Sequence, residues 1–491
     1  NGQIHHFVPG LLKMGATYDY RIVIDGKEQA LAAPATFSTQ DLWEWRKPPP
    51  DFEFLVGSCA YINDPEYDRP GEGYGKTTRT FELMAETGAE FMIWTGDNWY
   101  WREPDYSSIS GLWYRPSHDR ATPEMQKLLG SMHHYATWDD HDFGPNDSNW
   151  SFEYKDIALE IFKAYWGNHS YGEAANPGVY NKFYWGDAAF FLMDNHYYRD
   201  AAGLDQDHYP NKTQWGRHQL EWLKQSLLSA KKLKHFRFLF IATGNQMLQT
   251  APFGEPHELY RREREELMDF IVENEITGVV FLTGDVHHSA MYRRQLGDAN
   301  QWVYEITSSP MSSGAWTNAD EVKGKDPHVI PGTLIGTQNF VKVAITGKGS
   351  KRALTVTSID KDGEIRFEHL IWSPRFPHKI ALPALAPSLH SGVSLFMPKP
   401  VTSAAASAPH SPTPVSKPTA KGLKTRKEIV TNWLPRYTGV PIKELGDHIL
   451  LTNFQHYVKV FAQRHRVPIQ GKDKPMPNAT AGRITIINFG M

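Results

Sequence analysis

Four short segments each carry metal-binding residue types at the end of an apolar run: FLVGSCAY (54–61), FMIWTGDNWY (91–100), HHYATWDDHDFG (133–144) and VVFLTGDVHH (279–288). Between them they hold Cys59, Asp97, Asp139, Asp140, His141, Asp285, His287 and His288. At Asp97 alone, an aspartate capping a strand-to-helix turn would look the same. Four such segments together predict a multinuclear metal site. A carboxylate such as Asp97 can bridge two cations through its two oxygens. In WDDHD (138–142) the crowded carboxylates repel one another unless a cation neutralises them; alternation allows only some of them to face the site, and Asp140 and His141 are the choice. In GDVHH (284–288) an extended backbone puts Asp285 and His287 on one side, an imidazole–carboxylate pair suited to iron, zinc or manganese. A lone cysteine is often only a small buried hydrophobe, but Cys59 follows a strand and a Gly-Ser turn. As thiolate, beside a phenolate from Tyr61 or Tyr100, it favours a softer, redox-capable ion such as ferric iron. The chemistry these groups suggest is metal-dependent hydrolysis.

Other polar residues in predicted loops could meet a substrate: Asn146 in GPNDSN, Asp194, His196 and Arg199 in DNHYYR, and Asn245 and Gln246 in GNQM. Arginine suits phosphate because its planar fork donates two hydrogen bonds. His133, His134 and His218 read as structural, and Asp105 falls in an ordinary loop.

To converge, these side chains must sit on strands of one sheet system, since open α/β sheets bind ligands beyond the carboxyl ends of their strands. Predicted strands are 53–57, 90–95, 134–138, 188–194, 237–243 and 278–283, and predicted helices 78–87, 153–166, 214–229 and 258–274. In the third helix, Trp215, Leu220, Trp222, Leu223 and Leu227 share a face. The alternation indicates an α/β (α+β) layered domain. It closes on purely β segments (303–307, 339–347, 352–360 and 364–372), expected to complete a second sheet.

Residues 1–46 suit the last strands of a fibronectin III-like β-sandwich with a hairpin at Ile24–Lys27, and the proline-rich 45–52 stretch marks the boundary of a catalytic domain at 47–375. Residues 376–424 are a Pro/Ala/Ser-rich linker without bulky apolar side chains. Beyond it, 427–434 and 448–465 are amphipathic and helical, and 484–491 reads as a buried strand.

With 491 residues, 13% aromatics and a net charge of −3, the chain has ample core-forming residues and no global basic field that would draw nucleic acid. Its apolar runs are too short to span a membrane. One cysteine excludes an intrachain disulfide. The chain starts at Asn1 in what looks like the middle of a domain, so it reads as a fragment.

GSC, GDxxY, WDDHD, DNHYYR and GDVH, in that order, resemble the PhoD-like alkaline phosphatases of the metallophosphoesterase superfamily over about 45–372. The resemblance implies a double β-sheet sandwich flanked by helices, phosphomonoesterase and phosphodiesterase action on small-molecule esters, and a periplasmic or secreted location. It also implies Fe3+ with Ca2+, other divalent ions being alternatives. Cys59, Asp97, Tyr100 and His287 would hold the iron; Asp140 and Asp285, with Asn146 as a further candidate, would hold calcium, and Asp97 would bridge. A hydroxide held by the cations would attack phosphorus in line, with His141 orienting it or protonating the leaving oxygen. His196 stands where the family commonly has arginine, so Arg199 is assigned the phosphate, with Asn146, Asp194 and His196 as further substrate contacts. Residues 425–491 resemble the truncated start of a bacterial AMP nucleosidase. The competing readings are a catalytically dead surface binding protein on this fold and a nucleotide-specific phosphatase linked to that segment.

Overall fold

The computed structural model describes residues 4–251, 254–297, 301–316 and 325–374, and the backbone of 483–487. Residues 1–379 with 479–491 make one compact unit; a second, 380–478, lies outside the described residues. The predicted linker at 376–424 and the helices at 427–434 and 448–465 lie outside them as well.

At the N-terminal end, β1 (Thr17–Ile24), β2 (Lys27–Glu28) and β3 (Thr36–Ser38) form a small sheet in which β1 pairs antiparallel with both others. The expected hairpin is present: Asp25 and Gly26 both take positive φ, as a two-residue turn between twisted strands requires. The distant β16 (Arg483–Ile487) pairs parallel with β1. Gln40 ties this region to the body, donating to the Tyr184 carbonyl at 2.9 Å.

The body comprises β4 (Phe52–Gly57), α1 (Arg79–Ala85), β5 (Phe91–Thr95), α2 (Ile109–Arg120), α3 (Pro123–Leu129), β6 (His133–Thr137), α4 (Asp140–Phe143) and α5 (Lys155–Tyr165). There follow β7 (Asn181–Trp185), β8 (Ala188–Leu192), α6 (Arg217–Leu233), β9 (Phe238–Ala242), α7 (Arg261–Glu273), β10 (Val279–Thr283), β11 (Ala290–Gln295) and β12 (Trp302–Thr307). The strands β13 (Asn339–Thr346), β14 (Ala353–Asp360) and β15 (Ile365–Trp372) complete it. Two six-stranded mixed sheets result, ordered β15-β14-β13-β4-β5-β6 and β11-β12-β10-β9-β8-β7.

Their facing sides share one apolar core that includes Phe54, Phe91, Phe190, Phe240, Val280 and Val343. Strands buried on both faces explain the continuous apolar runs FMIWT and VVFLT. Outside the first sheet pack α1, α2, α3 and α5, through Phe81, Leu112, Leu128 and Phe162. Outside the second pack α6 and α7, through Leu220, Leu223, Leu227 and Leu267. The architecture is a double β-sheet sandwich flanked by helices.

Three details differ from the sequence reading. The late β segments do not all complete the second sheet: β12 joins β10 there, whereas β13–β15 extend the sheet of β4–β6. Trp215 is buried but precedes α6, whose start is set by Gly216 at φ 81°. Asp105 is no ordinary loop residue; it is buried and accepts from Arg115 Nε and the Arg102 amide, both at 2.8 Å.

Candidate metal centre

The parallel strands β4, β5, β6, β9 and β10 release their carboxyl ends towards one place. The backbone there is bent hard. Cys59 (φ 60°), Asp97 (53°), Asp147 (58°), Asp285 (68°) and His287 (53°) all sit in the left-handed region, which costs a non-glycine residue of order 1 kcal/mol or more. Asp285 and His287 therefore share the site because the chain turns, and the expected extended segment is corrected. The glycines before the aspartates have a separate cause. A β-carbon on Gly96 would stand 2.5 Å from Cβ of Asp139, and one on Gly284 2.4 Å from Oγ of Ser58. Strand ends this close leave no room for a side chain.

Around Asp97 the donors gather. Tyr100 donates its hydroxyl to Asp97 Oδ2 at 2.7 Å and stands 3.3 Å from His287 Nε2. Cys59 Sγ lies 3.4 Å from the same Asp97 oxygen and accepts from Ser309 Oγ at 3.1 Å. His287 Nδ1 is 2.5 Å from the Gly314 carbonyl, which makes Nδ1 the proton-bearing nitrogen and leaves the Nε2 lone pair facing the cluster. Cys59, Asp97 and His287 bring their ligand atoms within 4.8 Å of one another. Asp97, Asp140 and His141 form a second such group, and Asp140, Asp147 and Glu255 a third. Asp97 belongs to two groups and Asp140 to two, so the three form a chain.

Asp285 stands beside the chain, its Oδ2 3.5 Å from Asn245 Nδ2. His288, by contrast, is buried with Nδ1 on the Val286 carbonyl at 2.9 Å. Asp140 and His141 both reach the cluster because α4 coils immediately after Asp139; alternation along an extended chain would have sent neighbours apart.

Burial dominates the electrostatics. It pushes the carboxyls of Asp97, Asp139 and Asp285 well above the usual range, and neighbouring carboxylates push them further. It raises the Cys59 thiol and the Tyr100 phenol, and lowers the His141 and His287 imidazoles. At Asp140 burial is outweighed by His141 and His196, and its carboxyl falls to about 2. Among the described residues, no lysine or arginine pairs with Asp97, Asp139, Asp140 or Asp285, and Asp139 Oδ2 has no hydrogen-bond partner. A buried carboxylate cluster without protein counter-charge is what bound cations would neutralise. The donors fit them: sulfur, phenol oxygen, imidazole and carboxylate at one end, and mainly carboxylate oxygen at the other.

The residues assigned to substrate are placed differently. Arg199 is fully buried, with one terminal nitrogen on Glu255 Oε2 at 2.7 Å, the other on Oε1 at 2.5 Å, and Nε on the Tyr260 hydroxyl at 2.9 Å. Its fork is occupied by protein. Asp194 is buried and accepts from Trp138 Nε1 and from the amides of Val179, His196 and Tyr197 at 2.8–3.0 Å. His196 is buried between the Ser148 carbonyl at 2.8 Å and Asp139 Oδ1 at 2.7 Å. Burial, with Arg199 adding to it, lowers the His196 imidazole to about 4, while burial and the neighbouring Asp140 raise the Asp139 carboxyl. Asn146 is exposed, next to Asp147. Asn245 and Gln246 are buried, Gln246 holding the Gly284 carbonyl at 2.5 Å.

Sequence reading missed Asp147, Glu255 and Tyr74. Asp147 adjoins Asn146 in GPNDSN and was within reach of the same argument. Glu255, in the loop before α7, follows no apolar strand that would have flagged it. Tyr74, in the glycine-rich loop before α1, places its hydroxyl 3.1 Å from His287 Nδ1.

Known proteins resemble this chain. The profile of the PhoD-like phosphatases matches residues 54–343, more than half of the chain and all three ligand groups. Alkaline phosphatase D of Bacillus subtilis (strain 168) is 29% identical over 255 residues, which cover 44% of this chain and 43% of that protein's length. A solved structure of PhoD superposes with a TM-score of 0.54 at 17% identity, covering 70% of this chain and 74% of the other. At that identity the superposition establishes the fold, and the profile, which spans more than half of the chain, shows the family: the chain belongs to the PhoD-like phosphatase family.

Proposed function

We propose that the protein is a metal-dependent hydrolase of small-molecule phosphate monoesters and diesters. The observation that carries this reading is the chain of three ligand groups joined through Asp97 and Asp140. Cys59, Asp97, Tyr100 and His287 would hold a redox-capable ion, for which we propose Fe3+. Asp140, Asp147 and Glu255, with Asp285 beside them, would hold harder ions, for which we propose Ca2+. Bound there, cations supply Lewis acidity towards phosphoryl oxygens and lower the pKa of water.

The chain's own residues do the rest. His141, with its ring 4.1 Å from that of Tyr100 and its amide on Asp97, would orient the attacking water or protonate the leaving oxygen. Arg199 acts at one remove, its bidentate pair fixing the Glu255 carboxylate towards Asp140 and Asp147. Asn146, exposed beside the ligand candidate Asp147, would be a polar contact for the substrate.

The test compares p-nitrophenyl phosphate, bis-(p-nitrophenyl) phosphate and AMP with metal-loaded protein, before and after chelation. Turnover of the two nitrophenyl esters, lost on chelation and restored by metal, is expected. Turnover of AMP alone would favour the nucleotide-specific reading. Turnover of none would favour a binding protein on a catalytically dead fold.

Among the described residues no helix is long and apolar enough to cross a membrane. Family membership motivates a periplasmic or secreted location, and a protein found only with cytoplasmic markers on cell fractionation would exclude it. The likeness of 425–491 to the start of an AMP nucleosidase adds no step to this reaction.

A further inference from the structure

Three tyrosine rings flank the Cys59–Asp97–His287 end of the site, and they differ in what they offer a ligand. Tyr100 is buried and committed to Asp97, and Tyr61 donates its hydroxyl to Asp68 at 2.8 Å under the Arg102 guanidinium, 4.0 Å above its ring. Tyr74 is 44% exposed. Its ring stands edge-on to Tyr61 at 5.0 Å and 78°, and 5.7 Å from the ring of His287. On another side it abuts Gly314, where an added β-carbon would come within 3.1 Å of the ring. The hydroxyl, on His287 Nδ1 at 3.1 Å, fixes the ring's direction. An aromatic ring that is partly exposed and held by neighbours beside the ligand groups loses little entropy when it stacks on a planar partner.

We propose that Tyr74 is a specificity residue that stacks on the organic part of the ester, so that the site prefers esters carrying a flat ring close to phosphorus. This rests on the phosphate-ester reading above. No bond is made or broken by Tyr74; it contributes binding alone.

The experiment is calorimetric titration of metal-loaded protein with phenylphosphonate and methylphosphonate, whose C–P bonds this chemistry does not cleave. Wild type should bind the phenyl compound about tenfold more tightly, the size of one aromatic stacking contact. Tyr74→Phe should keep that ratio. Tyr74→Leu should bring it to within about twofold, the ratio being taken within the variant. Equal ratios in wild type and Tyr74→Leu, or no ring preference in wild type, would overturn the Tyr74 assignment and leave the phosphate-ester reading standing. Loss of both ligands in Tyr74→Leu would make the ring part of the scaffold and overturn it too. Wild type that binds neither phosphonate would sink the ester reading itself, and this proposal with it.

Discussion

At the scale of single residues, Asp97 is the hinge of the proposed chemistry because its carboxylate belongs to two ligand groups at once. Asp97→Ala should lower kcat/KM for p-nitrophenyl phosphate by about a thousandfold or more, since charge facing two cations is removed together. Asp207→Ala is the matched control: its carboxylate is exposed and, among the described residues, pairs with Arg262 at 2.9 Å, so activity should stay within about twofold. Asp105 would be a poor control, buried as it is against Arg115. Equal activity in the Asp97 and Asp207 variants would contradict the site as drawn. Cys59 carries a second prediction. If thiolate and phenolate hold ferric iron, the loaded protein is coloured by ligand-to-metal charge transfer, and Cys59→Ser should shift that band and lower the iron content. Colourless, iron-free and fully active wild type would remove Cys59 from the ligand set.

At the scale of elements, the site depends on strand ends brought closer than side chains allow. Gly284→Ala should destabilise the fold by about 1–3 kcal/mol, because the new methyl meets Ser58 and the Thr95 carbonyl on two neighbouring strand ends. An unchanged denaturation midpoint would show that those ends can move apart. His134 stitches β5, β6 and α3 together, accepting from Trp94 Nε1 at 3.0 Å and meeting the Leu128 carbonyl at 3.1 Å. The bond accepted from Trp94 needs the lone pair of the neutral ring, and burial lowers the ring's pKa from 6.5 to about 3. A depressed pKa means that this stabilisation is complete above about 6.5 and is lost as pH falls towards 3. His134→Gln can make both bonds without titrating, so its Tm should fall less than that of wild type over this window. Parallel Tm–pH curves would exclude His134 as the source.

At the scale of the whole molecule, the sandwich is closed by strands between 52 and 372, and every ligand group lies inside that span. The only described strand after it, β16, pairs with β1 at the edge of the N-terminal sheet, away from both six-stranded sheets. Truncation after Lys399 should therefore leave ester hydrolysis and its metal dependence intact, as measured on p-nitrophenyl phosphate. Loss of activity would mean that residues beyond 399 support the catalytic domain.

Much of this was legible in the sequence because local rules produce it. Strands buried on both faces must be apolar runs, so β4, β5, β6, β9 and β10 were expected within a residue or two of their ends. The residues just past those ends, Cys59, Asp97, Asp140, Asp285 and His287, could be named as candidates because α/β sheets open their crevices there. Where side chains buried in a helix are charged, that legibility fails. The helix α2 buries Arg115, Pro116 and Asp119 beside Leu112, so no apolar period marks it. Which sheet each late strand would join depends on pairing across hundreds of residues, as β4 with β13, and no local pattern encodes that. Glu255 reaches Asp140 only through the folded loop before α7, and its bidentate hold on Arg199 is what takes that guanidinium away from a substrate. Residue types and strand ends thus determined what chemistry was available; long-range packing alone decided which side chains face the site and which are occupied by one another.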